Sequence, residues 1–160
     1  MKNHNEAMIS PFEFRLFSPE WRSALAVFFR VLDENGDSRY FHPHPFSDEF
    51  LEKLSRYKGN DLYYVAVEAK TVLAYGLLRG WDEGYMIPSL GIAVHPEARG
   101  IGLSKAFMHF LHIAARRKGA IEIRLKVYPD NIKAIKLYES LGYSFLGTEN
   151  QQLVGSLTFL

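Results

Sequence analysis

A chain of 160 residues with a formal net charge of +1, from 19 basic and 18 acidic side chains, has no general attraction for nucleic acid or for an anionic membrane. It contains no cysteine, which excludes a disulfide framework, a thiolate zinc site and a cysteine nucleophile. With 48% hydrophobic residues it is expected to fold as a single domain over 1–160 and to bury a continuous core, with residues 1–10 as a flexible tail.

Met1 to Ser10 is polar and holds no apolar core of a signal peptide, and no later run reaches bilayer-spanning length, so a cytoplasmic protein is expected. Phe12, Phe14 and Leu16 alternate with Glu13 and Arg15 and predict a first strand. Ser18-Pro19-Glu20 offers a helix start, Trp21, Leu25, Phe28, Phe29 and Leu32 follow at helical spacing, and Asn35-Gly36-Asp37 stops the run. Phe41 to Phe46 is irregular because Pro43 and Pro45 forbid regular pairing. Ser47 caps a second helix through Leu54, ended by Lys58-Gly59-Asn60.

Leu62 to Ala69 and Thr71 to Leu78 predict two strands joined as a hairpin. Leu90 to Val94 is a short apolar run ending at His95-Pro96, as in a central strand. Leu103, Phe107, Phe110, Leu111 and Ala114 mark a long amphipathic helix, with Arg116-Arg117-Lys118 in its last turn and Gly119 as its stop. Ile121, Ile123, Leu125 and Val127 alternate as a strand. Pro129-Asp130-Asn131 then starts a helix whose apolar face carries Ala134, Leu137, Tyr138 and Leu141. Tyr143 to Leu146 and Leu153 to Leu160 predict two final strands. The order describes a mixed α/β (α+β) layer structure with about seven strands and about four helices.

The stretch from Leu90 to Ser104 reads strand, glycine-rich turn, helix. Such a turn presents unpaired backbone N–H groups and the positive end of a helix dipole, which suits phosphate. The turn has neither the second half of a dinucleotide fingerprint nor a Walker lysine. Arg99-Gly100-Ile101-Gly102-Leu103-Ser104, preceded by Val94-His95-Pro96, resembles the acyl-CoA pyrophosphate loop Q/R-x-x-G-x-G/A of the GNAT superfamily. Asn131 to Tyr143 resembles that superfamily's N-x-x-A-x-x-L-Y-E-x-x-G-F/Y segment. The two motifs stand in the family's order, and the resemblance covers residues 88–146. Ser104 departs from the usual Gly or Ala; it is small, and its hydroxyl can itself contact a phosphate.

The resemblance implies a GNAT-like fold and transfer of an acetyl group from acetyl-CoA, as acyl-donor cosubstrate, to an amine. It implies that backbone groups of Ile92 and Val94, with Ala93 between them, hold the pantetheine arm. In this family that strand splays from its neighbour through a bulge. Arg99, Gly100, Ile101, Gly102, Leu103 and Ser104 would surround the pyrophosphate, although Arg99 also reads as a solvated charge. Asn131 reads as a helix cap or as a cofactor contact. Tyr138 reads as a core tyrosine or, with the motif, as the general acid that protonates the departing thiolate. Asp82, Glu83 and His95 are candidate bases, beside a water chain.

His42 and His44 stand at i, i+2 with no second ligand cluster in the sequence, so no metal is expected. Phe41 to Phe46 reads as a rigid connector, or as the acceptor side of the cleft. An aromatic and histidine-lined entry suits a small polar amine such as an amino sugar. Family acceptors include small-molecule and protein amines, and the last strands of this superfamily often form homodimers. A non-catalytic acyl-CoA-binding module is the alternative, since fold does not guarantee function.

Overall fold

The computed structural model describes residues 11–159, so the expected tail over 1–10 and the end of the last expected strand lie outside the described residues. β1 (Phe12–Leu16) leads through a 3-10 turn at Pro19–Trp21 into α1 (Arg22–Glu34), and α2 (Asp48–Ser55) follows. β2 (Leu62–Glu68) and β3 (Thr71–Arg79) form the expected hairpin, with Ala69 at φ 54° in its turn. Then come β4 (Ser89–Val94), α3 (Leu103–Arg117), β5 (Glu122–Val127) and α4 (Ile132–Ser140). β6 (Ser144–Glu149) and β7 (Gln152–Thr158) close the chain. The strands form one mixed sheet in the order β1-β2-β3-β4-β5-β7-β6, which puts β4 at its centre. No helix among the described residues is long and apolar enough to cross a membrane.

Local chemistry explains most boundaries. Ser47 Oγ accepts the Phe50 N–H at 3.1 Å and starts α2. α2 stops at Ser55, before the expected breaker at Lys58-Gly59-Asn60, with Arg56 at its cap. Ser18 sits at the expected cap, but its hydroxyl donates to Glu20 and the chain enters α1 through the 3-10 turn. β6 runs past Leu146 to Glu149, because Asn150 and Gln151, at φ 48° and 67°, make a tight turn that pairs Glu149 with Gln152. Ile121 continues the alternation of β5 but precedes the strand and is exposed.

The core lies on both faces of the sheet. Tyr75 and Leu77 of β3 pack with Leu25, Phe28, Phe29 and Leu32 of α1. Ala74 and Leu78, on the opposite face, pack with Phe107, Met108 and Leu111 of α3. Burying each large apolar side chain contributes about 1.5–3 kcal/mol. Gly76 lets α3 approach this closely: a Cβ there would lie 2.8 Å from Phe107 Cζ and 2.9 Å from Leu111 Cδ1. His112, also on α3, is a satisfied core group, its Nε2 2.7 Å from the Tyr143 hydroxyl and its pKa lowered to about 4 by burial.

The sheet opens between β4 and β5. These parallel strands share a single pair among the described residues, Ser89 with Arg124, where the Arg124 N–H donates to the Pro88 carbonyl at 3.0 Å. Strand alternation turns the polar groups of Leu90, Ile92 and Val94 to the same side as Pro88, where β5 has diverged. The expected bulge is absent from the β3–β4 ladder, which runs without a register shift from Ala74↔Val94 to Arg79↔Ser89. The opening comes from the divergence of β5, leaving the other edge of β4 fully paired.

Candidate active site

A cavity of about 490 Å³ fills the opening. Ile92, Ala93 and Val94 form one wall, and Asn131, Ala134, Leu137 and Tyr138 of the α4 region form the other. The start of α3 closes one end, with Gly100, Gly102, Leu103, Ser104 and Lys105 on the lining. Thus the expected site residues from both motifs meet at one place, except Ile101, which is 75% exposed and not on the lining.

Gly100 and Gly102 adopt φ 82° and 85°, and no atom lies within 4 Å of a Cβ built on either. The turn therefore leaves open space beside its backbone. Gly102 stands at the cap of α3 with no side-chain capping bond, and its carbonyl accepts the Ala106 N–H at 3.0 Å. The N–H groups of Leu103, Ser104 and Lys105 precede the first intrahelical donor, so they have no partner within the helix. Lys105 and Lys133 also line this cavity. The sequence reading passed over both, although Lys105 immediately follows the loop motif and Lys133 lies inside the second one.

Arg99 is exposed, but its guanidinium is paired within the fold. Its Nε and Nη2 donate to the Val94 carbonyl at 3.1 and 2.9 Å, and Nη2 lies 2.9 Å from the Asp37 carboxylate. It ties the end of β4 to the turn after α1, so this exposed charge is also a tether. Asn131 occupies the cap position of α4, but its side chain makes no capping bond. The expectation of a capping side chain is therefore corrected, and that side chain is unused by the helix.

Tyr138 combines its two readings. Its ring is 9% exposed and packs in the core, yet the residue lines the cavity. Burial pushes its phenol up to about 12. No hydrogen bond engages its hydroxyl among the described residues, and the sealed side-chain atom without a partner is Trp21 Nε1, not this phenol.

The three candidate bases are not on the lining of either cavity. The Asp82 carboxylate accepts the Asn60 N–H at 2.7 Å and the Tyr57 hydroxyl, which together hold its pKa below the usual carboxylate value. It is a loop fastener. Glu83 lies in the same exposed turn. His95 Nδ1 accepts the Glu97 N–H at 3.1 Å and caps a 3-10 turn.

A second cavity, of about 270 Å³, adjoins the first through Tyr40, Phe41, Leu90, Gly91 and Lys126. It adds His42, Pro43, Arg79, Ser89 and Gln152. The Phe41–Phe46 segment therefore divides. His42 is exposed on the cavity wall, with Nε2 2.8 Å from the Tyr128 hydroxyl. His44 turns inward, stacks on Phe50 at 3.5 Å between centroids, and places Nε2 2.9 Å from the Tyr75 hydroxyl. Burial lowers the His44 pKa to about 4. Phe46 stacks on Phe29 at 4.4 Å. The first half of the segment is cavity wall, and the second half is the connector.

Residues 20–143 match the model of the acetyltransferase (GNAT) family. Among solved structures, a GCN5-related N-acetyltransferase from Kribbella flavida is 23% identical, with TM-score 0.76 over 92% of this chain and 98% of that one. PaiA N-acetyltransferase from Thermoplasma acidophilum, solved with coenzyme A, is 18% identical, with TM-score 0.72 over 93% of this chain and 99% of that one. YncA, a putative acetyltransferase from Salmonella typhimurium solved with acetyl-CoA, is 18% identical, with TM-score 0.74 over 93% of this chain and 94% of that one. At these identities the likeness concerns the fold.

Proposed function

We propose that this chain, which belongs to the acetyltransferase (GNAT) family, moves an acetyl group from acetyl-CoA to a primary amine, with Tyr138 as the general acid. The observation that carries this reading is the β4–β5 opening, whose lining joins free strand edge, helix N-terminus and Tyr138 in one cavity. The residues fit the donor. A pantetheine arm carries amides that pair with the Ile92 backbone and the Val94 N–H, groups that would otherwise stand unpaired at a buried edge, while the Val94 carbonyl is taken by Arg99. A pyrophosphate suits the first N–H groups of α3, with room beside Gly100 and Gly102 and with Lys105 and Lys133 as countercharges. Arg99 assists by fixing the end of β4 and by occupying the Val94 carbonyl, so that donors rather than acceptors predominate there.

Acetyl-CoA supplies the activated acyl carbon. Tyr138 lines the cavity with an uncommitted hydroxyl, which would be free to give a proton to a departing sulfur bound there. The amine enters from the smaller cavity, which opens onto the same stretch of β4 at Leu90 and Gly91. Among the described residues no Asp or Glu lines that cavity, and His42 supplies an imidazole to it.

Acetyl-CoA should raise the melting temperature of the protein. At 100 times its dissociation constant it stabilises by about 2.7 kcal/mol, which is a shift of roughly 5–10 °C for a chain of this size. NAD and ATP should shift it far less. A thermal melt unchanged by millimolar acetyl-CoA would sink the reading.

The divided segment gives a second expected outcome. His42→Ala should leave the fold intact and raise the acceptor KM about tenfold, the loss of one good polar contact. His44→Ala should instead strand the buried Tyr75 hydroxyl, cost about 2 kcal/mol and lower Tm by about 4–8 °C. Acceptor kinetics and melts on both variants check this; reversed phenotypes would mean that the wall and the connector have been exchanged.

A further inference from the structure

The smaller cavity has a charge pattern that an amine alone does not explain. Its basic lining is Arg79, Lys126 and His42, beside the Tyr40 phenol, with no carboxylate among the described lining residues. Arg79 is half-buried at the end of β3, opposite Ser89. None of the ion pairs among the described residues includes it; its neighbours are the Tyr63 hydroxyl, with His44 and Tyr75 also within reach of its charge. Lys126 pairs with Glu149 at 3.1 Å, but both side chains are well exposed, at 40% and 62%. An exposed pair of that kind is easily exchanged for another anion.

The donor's phosphates do not account for Arg79. They are assigned to the start of α3, beyond the Val94 end of β4, whereas Arg79 sits at the Ser89 end. Five residues of strand separate those ends, roughly 17 Å. A site built for a diamine or a polycation would carry acidic side chains, because a second ammonium group is repelled by unpaired cations. A planar guanidinium fork at the edge of a pocket matches the two oxygens of a carboxylate or a phosphate.

We infer that the acceptor is a small amine that carries its own anionic group, a carboxylate or a phosphate, which docks on Arg79 and Lys126 while the amine points to the Leu90–Gly91 stretch of β4. The inference rests on the acyltransferase reading above and narrows its substrate class. It narrows the amino-sugar expectation to sugars that bear an anionic group, since a neutral sugar ring gives the two cations nothing to pair with.

The test is calorimetric, on the full chain saturated with CoA so that no turnover intervenes. The probes are β-alanine and O-phosphoethanolamine against ethanolamine and putrescine. At least one anionic probe should bind at least about tenfold tighter than ethanolamine, with putrescine weakest, and the carboxylate and phosphate arms show which anion is preferred. Arg79→Gln should remove most of that preference without changing CoA affinity, and Lys126→Gln, on an exposed strand position, should reduce it independently. If CoA itself fails to bind, the acyltransferase reading falls and this inference falls with it. If CoA binds but the anionic probes bind no tighter than ethanolamine, or if both variants keep the preference, this inference alone is overturned.

Discussion

Tyr138→Phe should lower kcat by about 10²-fold or more while leaving the melting temperature and acetyl-CoA affinity near wild type. The stability half follows from what the hydroxyl does not do. It holds no hydrogen bond among the described residues, so its removal strands no buried partner. The rate half follows from its place on the cavity wall and from its acidity. Burial pushes the phenol up to about 12, so it stays protonated throughout the ordinary assay range. A thiol in water titrates near about 8.5, which makes full proton transfer from such a phenol uphill. The same apolar surroundings raise a thiol as well, and a hydrogen bond that strengthens as charge gathers on sulfur needs no complete transfer. No alkaline limb of kcat should therefore originate from Tyr138 below about pH 10, since it loses its proton only near 12. Single-turnover kinetics, which isolate chemistry from product release, check the effect. An unchanged single-turnover rate would return Tyr138 to a packing role.

The elements were legible where one period governed a long run. The Phe28-Leu32 and Phe107-Leu111 stripes face the sheet as their spacing requires. The loop and Tyr138 were legible because both motifs are local, and local sequence fixes a turn and one helix face. What the sequence hid depends on partners far along the chain. Asp82 reads as a loop acid until Tyr57 and Asn60 close on it. Arg99 reads as solvated until Asp37, far earlier in the chain in the turn after α1, comes within 2.9 Å. Asn131 stands at the cap, but its side chain leaves the helix unbonded, and the choice depends on a backbone at φ −82° and ψ 66° that composition does not encode. The smaller cavity was least visible, because Tyr40 of the turn after α1, Arg79 of β3 and Lys126 of β5 come together from distant parts of the chain.

Gly102→Val should abolish tight acetyl-CoA binding, and a matched substitution separates that loss from backbone strain. Gly102 sits at φ 85° at the start of α3, and Gly119 sits at φ 92° just past its end. A Cβ at either position meets no atom within 4 Å, so sterics within the fold are equal. An L residue in the left-handed region costs about 1–2 kcal/mol, and a β-branched one more. Gly102→Val and Gly119→Val should then each lower Tm by a similar amount, about 4–8 °C. Their ligand effects should differ sharply. At Gly102 the valine would fill the open space beside the first N–H groups of α3, where the proposed pyrophosphate would dock, and its strained turn would move those donors. Losing two charge-assisted hydrogen bonds, each about 1.5–3 kcal/mol, weakens binding by at least about 10²-fold. At Gly119, a helix length away from the cavity, affinity should stay at the wild-type level. Calorimetry with acetyl-CoA on both variants, below their melting temperatures, gives the comparison. Equal wild-type affinity in both would place the phosphate site away from α3, and equal loss in both would mean that strain alone had been measured.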